Sequence, residues 1–203
     1  MPSVATVNDS ASGVELERRR SLLRESPIIA AAANLKVLDA AIASPVHAIY
    51  LLTGTPLTLP EIVANIRGAG KLCLVNLDFQ DGLARDKHAV EYLAHCGTDG
   101  VVSTKSEALR TVQGLGMLSI LRSFAIDWAA VTLTQKSLAQ FVPDAIEILP
   151  AVVAPKVLFS LSTVKPKMHV IGGGLISTVR EIEQLFEAGI GSVTTSNAGL
   201  WVI

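Results

Sequence analysis

Aromatic residues, cysteines and net charge are scarce in this sequence, and no apolar run is long. Its 203 residues include five Phe, two Trp, two Tyr and two Cys. Cys73 and Cys96 have no second Cys or His at the spacing of metal ligands, so neither a disulfide framework nor a zinc site is predicted. The four histidines are scattered singly. The sequence therefore predicts no metal site.

Charge and hydropathy exclude further classes of protein. The chain carries 17 basic and 18 acidic residues, a net charge of −1, so no overall field attracts nucleic acid or an anionic membrane. Any RNA binding would require a local patch or an assembly of chains. Polar residues interrupt every apolar run before the roughly 18 residues that a membrane span needs. The first twenty residues lack the apolar core of a signal peptide, and we expect a cytoplasmic protein.

From residue 27 onward, short apolar runs alternate with segments of helical periodicity. The runs cover residues 28–33, 46–52, 71–77, 100–103, 117–123, 145–150, 168–173 and 192–195. Near-continuous apolar runs are typical of parallel strands with helices on the outside. Eight such units predict an α/β fold, a compact TIM-type (β/α)8 barrel over residues 27–203, although that fold typically takes about 250 residues. An open doubly wound sheet is the alternative.

The sequence allows a separate structural prediction for each end of the chain. Little sequence follows the eighth run, so the last helix is expected to be shortened or missing, and a homo-oligomer, most simply a dimer, would cover the apolar surface left behind. Residues 1–26 are expected to form a flexible arm or a short N-terminal helix, separate from the barrel. Arg18, Arg19, Arg20 and Arg24 form a basic cluster there. A solvated arm or a lid helix is favoured over an RNA-binding arm.

Capping-box pairs mark three of the predicted helix starts. In this motif a Thr hydroxyl and a Glu carboxylate three residues later satisfy free backbone N–H groups. The pairs are Thr58 with Glu61, Thr104 with Glu107, and Thr178 with Glu181. We expect a helix to begin at each of them.

Glycines and small hydroxyl residues follow the last two strands. They are Gly172, Gly173 and Gly174 after the seventh run and Thr194, Thr195 and Ser196 at the end of the eighth. If these strands are parallel neighbours, the two segments lie side by side. Glycine lets backbone N–H groups approach a ligand closely, and hydroxyls add donors. Loops after strands seven and eight commonly hold phosphate in such barrels, so we predict a phosphate site there.

Charged and polar residues occupy other strand ends. Asn76 and Asp78 are two residues apart and are expected to point to one side, and Glu147 lies inside an apolar strand. An isolated buried carboxylate is costly, so Lys105 and Arg122 are the expected cationic partners. The alternative is a set of interior polar residues that only neutralise one another.

Six ordered motifs give the sequence a family resemblance. They are NLDFQDGL from Asn76, DGVVSTKS from Asp99, Arg122 with Phe124 and Asp127, DAIEILP from Asp144, IGGGLI from Ile171, and VTTSN from Val193 with Leu200 and Trp201. The series resembles the glycerol-3-phosphate responsive antiterminator family from about residue 27 to 201. The resemblance implies a cytoplasmic bacterial regulator that senses glycerol 3-phosphate and binds leader mRNA of glycerol-utilisation genes, without turnover and without a cofactor.

The resemblance also implies roles for individual residues, and the sequence departs from the family pattern at two positions. Asp78 and Glu147 would accept hydrogen bonds from the glycerol hydroxyls, and Lys105 and Arg122 would balance their charge. The implied RNA contacts are Arg18, Arg19, Arg20, Arg24, Lys165 and Lys167. Many members have a His at the position of Asn76 and an Arg at the position of Ala33.

Two other functions stay open at this point. A barrel enzyme of the isomerase or aldolase type would use Glu147 or Asp78 as a general base and Lys105 as an electrophile. A barrel that binds a small phosphate but has lost RNA binding is the third possibility.

Overall fold

The computed structural model describes residues 5–162 and 168–202, and within them eight strands close into one parallel barrel. The strands are β1 (Ile28–Ala32), β2 (Ala48–Leu51), β3 (Leu72–Asn76), β4 (Gly100–Ser103), β5 (Leu118–Phe124), β6 (Ala145–Leu149), β7 (His169–Gly173) and β8 (Ser192–Thr195). Each strand pairs with the next, and β8 pairs with β1. The predicted (β/α)8 barrel is confirmed, and the open sheet is wrong.

Eight α-helices accompany the strands in the described residues. They are α1 (Ala5–Arg24), α2 (Leu35–Ala43), α3 (Leu59–Gly68), α4 (Lys87–His95), α5 (Ser106–Gly114), α6 (Trp128–Gln140), α7 (Ala154–Ser162) and α8 (Val179–Glu187). From α2 onward each helix follows the strand before it, but β8 is followed by a 3-10 turn at Ala198–Leu200. In the described residues no α-helix follows β8, which agrees with the expected shortened or missing last helix. Among these described helices, none combines the length and the apolar character that crossing a bilayer requires.

The segment after β8 covers part of the surface that a further helix would cover. Leu200 and Trp201 are both buried in the core between strands and helices. The indole Nε1–H of Trp201 donates a hydrogen bond of 2.9 Å to the carbonyl oxygen of Thr195. This packing removes some of the reason for expecting a dimer, and the oligomeric state stays a prediction.

Alternation along the strands divides the core into two layers. Residues such as Tyr50, Leu74, Ile120 and Ile171 fill the barrel interior, whereas their neighbours along each strand pack against the helices. A parallel strand is buried on both faces by this arrangement, which explains the continuous apolar runs.

Helix α1 closes the N-terminal end of the barrel. Leu23 is buried in the interior cluster, so the helix contributes directly to the core. Arg19 Nε lies 3.2 Å from Asp99 Oδ1, and Arg20 Nε lies 2.7 Å from Asp144 Oδ1. Both carboxylates stand just before a strand, at its N-terminal end. The N-terminal segment is therefore a docked helix of 20 residues, longer than the short helix or flexible arm that was expected.

One of the three predicted capping boxes forms. Thr178 and Glu181 make both reciprocal bonds at the start of α8. Thr58 makes no cap bond, because its hydroxyl accepts from the backbone N–H of Thr55 instead. Helix α5 takes Lys105 as its N-cap residue, because the N–H of Thr104 donates to Asp78. Neither of these two capping boxes forms, although α3 begins directly after Thr58 as expected and α5 begins one residue later than expected.

Candidate functional site

Arg122 and Glu147 form an ion pair in the barrel interior near its C-terminal end. The two residues are directly opposite in the pairing of β5 with β6, and Arg122 Nε lies 2.9 Å from Glu147 Oε2. The Arg122 side chain is 9% exposed and that of Glu147 is 0% exposed. The hydroxyl of Thr194 on β8 donates a bond of 2.6 Å to Glu147 Oε1. Three strands therefore supply one buried polar cluster.

Gly173 leaves the space that this cluster occupies. A Cβ atom at residue 173 would lie 2.5 Å from Glu147 Oε1 and 2.6 Å from Thr194 Oγ1, which are impossible separations. Gly172 faces the other layer, where a Cβ atom would meet Ala151 Cβ at 3.4 Å. Gly173 and Thr194 are register partners on β7 and β8, so the two strand ends lie side by side.

Five buried polar atoms in or near this pair have no hydrogen-bond partner in the described part of the chain. They are Tyr50 Oη, Asn76 Nδ2, Arg122 Nε, Arg122 Nη1 and Glu147 Oε2. Although Arg122 Nε is close to Glu147 Oε2, its N–H does not point along that line, so the contact is an ion pair without a hydrogen bond. Buried polar groups without partners are rare, and each one requires an explanation such as a ligand.

Burial governs the protonation of the cluster. Removal from water raises the pKa of Glu147, while the charge of Arg122 and the bond from Thr194 act in the opposite direction. Burial also raises the pKa of Tyr50 well above its usual value, and the nearby Glu147 carboxylate adds to this. The phenol is therefore a hydrogen-bond donor without an acceptor.

Asp78 belongs to a neighbouring cluster at the ends of β3 and β4. The strand stops at Asn76 and continues as a 3-10 turn, Leu77–Phe79, in which Asn76 Oδ1 accepts from the N–H of Asp78 at 3.1 Å. The Asp78 carboxylate accepts bonds of 2.8 Å from Ser103 Oγ and from the N–H of Thr104. Asn76 and Asp78 therefore do not share a side, because the strand ends between them.

The cation beside Asp78 is Arg85 rather than the expected Lys105. Arg85 Nε lies 3.4 Å from Asp78 Oδ1, and its Nη2 donates to the Asp78 carbonyl oxygen. Lys105 is exposed and, with Arg85 and Lys87, lines a hollow of about 580 Å³ between the starts of α4 and α5. The structure thus pairs Arg122 with the Glu147 carboxylate, as predicted, whereas Lys105 lies at the edge of the hollow between α4 and α5.

The residues predicted to bind phosphate after β7 and β8 do not all face the same side of the barrel. Thr194 faces the interior, whereas Thr195 pairs with Ala30 and faces the helix layer, where its hydroxyl accepts from the N–H of Asn197 at 3.1 Å. Gly174 has a φ of +76°, a conformation that glycine adopts without strain, at the point where β7 turns away. Ser196 is exposed after β8. Phosphate binding by these loops stays a prediction.

The arginines predicted to contact RNA lie at the opposite end of the barrel. Arg18 pairs with Glu15, and Arg19 and Arg20 hold α1 against the strand starts. Arg24, near the end of the helix, is exposed. Lys165 and Lys167 lie outside the described residues. The geometry gives Arg19 and Arg20 a structural role, and RNA contact by this cluster stays a prediction.

Reasoning from sequence missed three residues near the site. Tyr50 occupies an interior position of β2, and its hydroxyl within an apolar strand was the available signal. The rings of Phe79 and Phe124 have their centroids 5.3 and 5.9 Å from Arg122 Cζ. Nothing in the sequence indicated that residues so far apart would flank one guanidinium. Across the described ranges, 5–162 and 168–202, no three His, Cys, Asp or Glu side chains are grouped as metal ligands would be.

Comparison with known proteins gives consistent matches. The family model described as "Glycerol-3-phosphate responsive antiterminator" matches residues 28–201. The uncharacterized protein YgcP of Escherichia coli K12 is 33% identical over 183 residues, which are 90% of this chain and 95% of that protein.

Two solved structures share the fold along nearly their whole length. A glycerol uptake operon antiterminator regulatory protein from Listeria monocytogenes is 31% identical, with a TM-score of 0.80 over 86% of this chain and 94% of that one. A glycerol uptake operon antiterminator-related protein from Thermotoga maritima is 27% identical, with a TM-score of 0.79 over 87% and 98% of the two chains.

Proposed function

Because this chain belongs to the glycerol-3-phosphate responsive antiterminator family, we propose that it binds glycerol 3-phosphate and then prevents termination in the leader mRNA of glycerol-utilisation genes. The family is one of regulators, which agrees with the expectation that the chain is not an enzyme. Glycerol 3-phosphate would act as an effector, without a cofactor. The place of action would be the cytoplasm, where nascent transcripts are made.

The observation that carries this proposal is the set of unpartnered atoms around Arg122 and Glu147. Asn76 Nδ2 and Arg122 Nη1 are donors, and Glu147 Oε2 is an acceptor. A polyol hydroxyl both donates and accepts, so one small molecule can satisfy several of these atoms at once. Asp78 already accepts three polar contacts, from Ser103, Thr104 and Arg85, and has a smaller part in this proposal than the sequence suggested.

The phosphate end would rest on the loops after β7 and β8, at Gly174 and Ser196. Their strands are paired, so the two loops lie next to one another. A phosphate here would be close to Glu147, and the positive charge of Arg122 reduces the repulsion between them.

A thermal-shift titration tests the effector. Glycerol 3-phosphate should raise the melting temperature in proportion to the logarithm of its concentration above Kd. Glycerol and inorganic phosphate, each half of the ligand, should produce little stabilisation at the same concentrations. Equal shifts with inorganic phosphate would indicate an anion site without polyol recognition, and no shift with any compound would remove the effector claim.

A gel-shift experiment tests the RNA half separately. The labelled leader transcript of the source organism's glycerol-utilisation genes should be retarded more strongly in the presence of glycerol 3-phosphate, because an effector must favour one state of the protein. A protein that binds the effector but no transcript would be a small-molecule barrel without RNA binding. Light scattering of the same samples would measure the oligomeric state, for which we propose a dimer.

A further inference from the structure

Exposed aromatic side chains concentrate at the C-terminal face of the barrel. In the described residues, four are exposed: Phe79, Phe124, Trp128 and Phe159. Phe124 is the last residue of β5, and Phe79 and Trp128 follow β3 and β5, where the strands run into the next helices. Their exposed fractions are 52% for Phe79, 49% for Phe124 and 66% for Trp128. Exposed aromatic rings are the surface on which proteins stack unpaired bases.

Two of these rings flank the cation of the candidate effector site. Phe79 and Phe124 both lie within 6 Å of Arg122 Cζ, at 5.3 and 5.9 Å. This separation permits a cation–π attraction, which holds each ring near the guanidinium. The rings therefore have defined positions although about half of each side chain meets solvent.

Cations surround the hollow between α4 and α5, and one of them, Arg85, bonds to the carbonyl oxygen of Asp78 next to Phe79. Arg85, Lys87 and Lys105 contribute to its lining, together with Asp86 and Glu107. The Asp86 carboxylate is occupied by the N–H groups at the start of α4, which reduces its competition for the cations. A hollow of about 580 Å³ has room for a phosphate group of a nucleic-acid backbone.

Helix α1, which closes the opposite end of the described barrel, contains no aromatic residue. Arg19 is mostly buried and paired with Asp99, and Arg20 is paired with Asp144. RNA contact through Arg19 or Arg20 would have to break the ion pairs that dock the helix.

We propose that Phe79, Phe124 and Trp128 form a stacking surface for unpaired bases of the leader RNA. Arg85, Lys87 and Lys105 contact the phosphates of the same RNA segment. The inference rests on the proposed RNA-binding function and moves its location from α1 to the C-terminal face, directly beside the effector site.

This location gives the effector a short route to the RNA. Phe79 lies in the same 3-10 turn as Asp78, and Asn76 Oδ1 caps that turn. A ligand that bonds to Asn76 Nδ2 and to Arg122 touches both supports of the Phe79 ring. Effector binding therefore adds contacts that hold the stacking surface in place, and RNA binding in turn tightens effector binding, because such coupling is reciprocal.

The test measures RNA and effector affinity on the same variants. Phe79→Leu, Phe124→Leu and Trp128→Leu remove one ring each, and Phe159→Leu on α7 is the matched control. Fluorescence anisotropy with labelled leader transcript, at saturating glycerol 3-phosphate, should show roughly a tenfold weaker Kd for each of the three and no change for the control. Trp128→Leu should leave glycerol 3-phosphate affinity unchanged in calorimetry.

Tryptophan emission gives a second readout. Trp128 is exposed and Trp201 is buried, so acrylamide should quench mainly Trp128 in the free protein, and bound RNA should protect it. Unchanged RNA affinity in all three variants overturns the inference, even if wild type binds RNA well. If the variants bind glycerol 3-phosphate more weakly but bind RNA as wild type does, the rings cover the effector instead of stacking on bases. That result also overturns the inference. If wild type binds no transcript, the proposed RNA function itself fails, and the inference fails with it.

Discussion

Arg122 and Glu147 face each other across β5 and β6 with Nε 2.9 Å from Oε2, and neither charge has contact with bulk water beyond a small part of Arg122. The pair is both a structural element of the barrel core and the centre of the candidate site. Because buried charges depend on their partners, changes at this pair should alter stability and binding in different proportions.

Removing Arg122 alone should be costly. Arg122→Met leaves the Glu147 carboxylate buried without its cation and should lower the free energy of unfolding by about 3 kcal/mol. The double variant Arg122→Met with Glu147→Leu should regain a large part of that loss, because no unpaired charge is left. Urea unfolding at neutral pH measures both. A double variant as unstable as Arg122→Met would show that the charge is not the cause.

The two adjacent glycines should respond differently to the same change. Gly173→Ala places a methyl group 2.5 Å from Glu147 Oε1, so the carboxylate and Thr194 must move. We expect a loss of about 2 kcal/mol or more in unfolding free energy and a loss of effector binding. Gly172→Ala meets Ala151 at 3.4 Å and is the matched control. Equal effects of the two substitutions in urea unfolding would contradict the interior position of residue 173.

His169 should make the protein sensitive to mild acid. Burial lowers the pKa of His169 to about 4, with a smaller contribution from Arg24. Its Nε2 lies 2.9 Å from Ser192 Oγ, and that hydroxyl donates to the carbonyl oxygen of Ser26, so the imidazole donates to it.

The direction of the pH effect follows from the lowered pKa. Stabilisation by neutral His169 is complete above about pH 6.5, the unfolded value, and is lost as the pH falls toward 4, by at most about 3 kcal/mol. His169→Gln keeps a donor but does not titrate, so its stability should vary less across this interval. Urea unfolding at several pH values measures the difference, and parallel curves for the two proteins would refute this assignment.

The docking of helix α1 on the barrel should depend on Arg19 more than on Arg18. Arg19 is paired with the buried Asp99, so Arg19→Ala should cost about 1 to 2 kcal/mol of unfolding free energy. Arg18 makes an exposed pair with Glu15, and Arg18→Ala should produce no measurable change. Neither variant should weaken RNA binding in a gel shift if RNA binds at the other end. A loss of RNA binding with unchanged stability would support the predicted contact through these arginines.

Most of the fold, but only part of the candidate site, could be predicted from the sequence. The eight apolar runs gave every strand to within about two residues, because strands buried on both faces have an unmistakable composition. Thr58 failed as a cap because its hydroxyl accepts from the N–H of Thr55, three residues earlier, and Thr104 failed because its N–H donates to Asp78, which is distant in sequence. Lys105 was misplaced for a similar reason: the turn after β3 and the position of Arg85 decide which cation meets Asp78, and neither follows from spacing. Gly173 and Thr194 were found because parallel neighbours align their ends.

The central claim is that glycerol 3-phosphate binds at the cluster around Glu147, and isothermal titration calorimetry with wild type and Glu147→Gln tests it most directly. The substitution keeps the side-chain size and removes the charge that Arg122 and the polyol hydroxyls meet. We predict one ligand per chain for wild type and binding at least tenfold weaker for Glu147→Gln, while Gly172→Ala binds as wild type does. Equal affinities for wild type and Glu147→Gln, or no heat with wild type, would contradict the account.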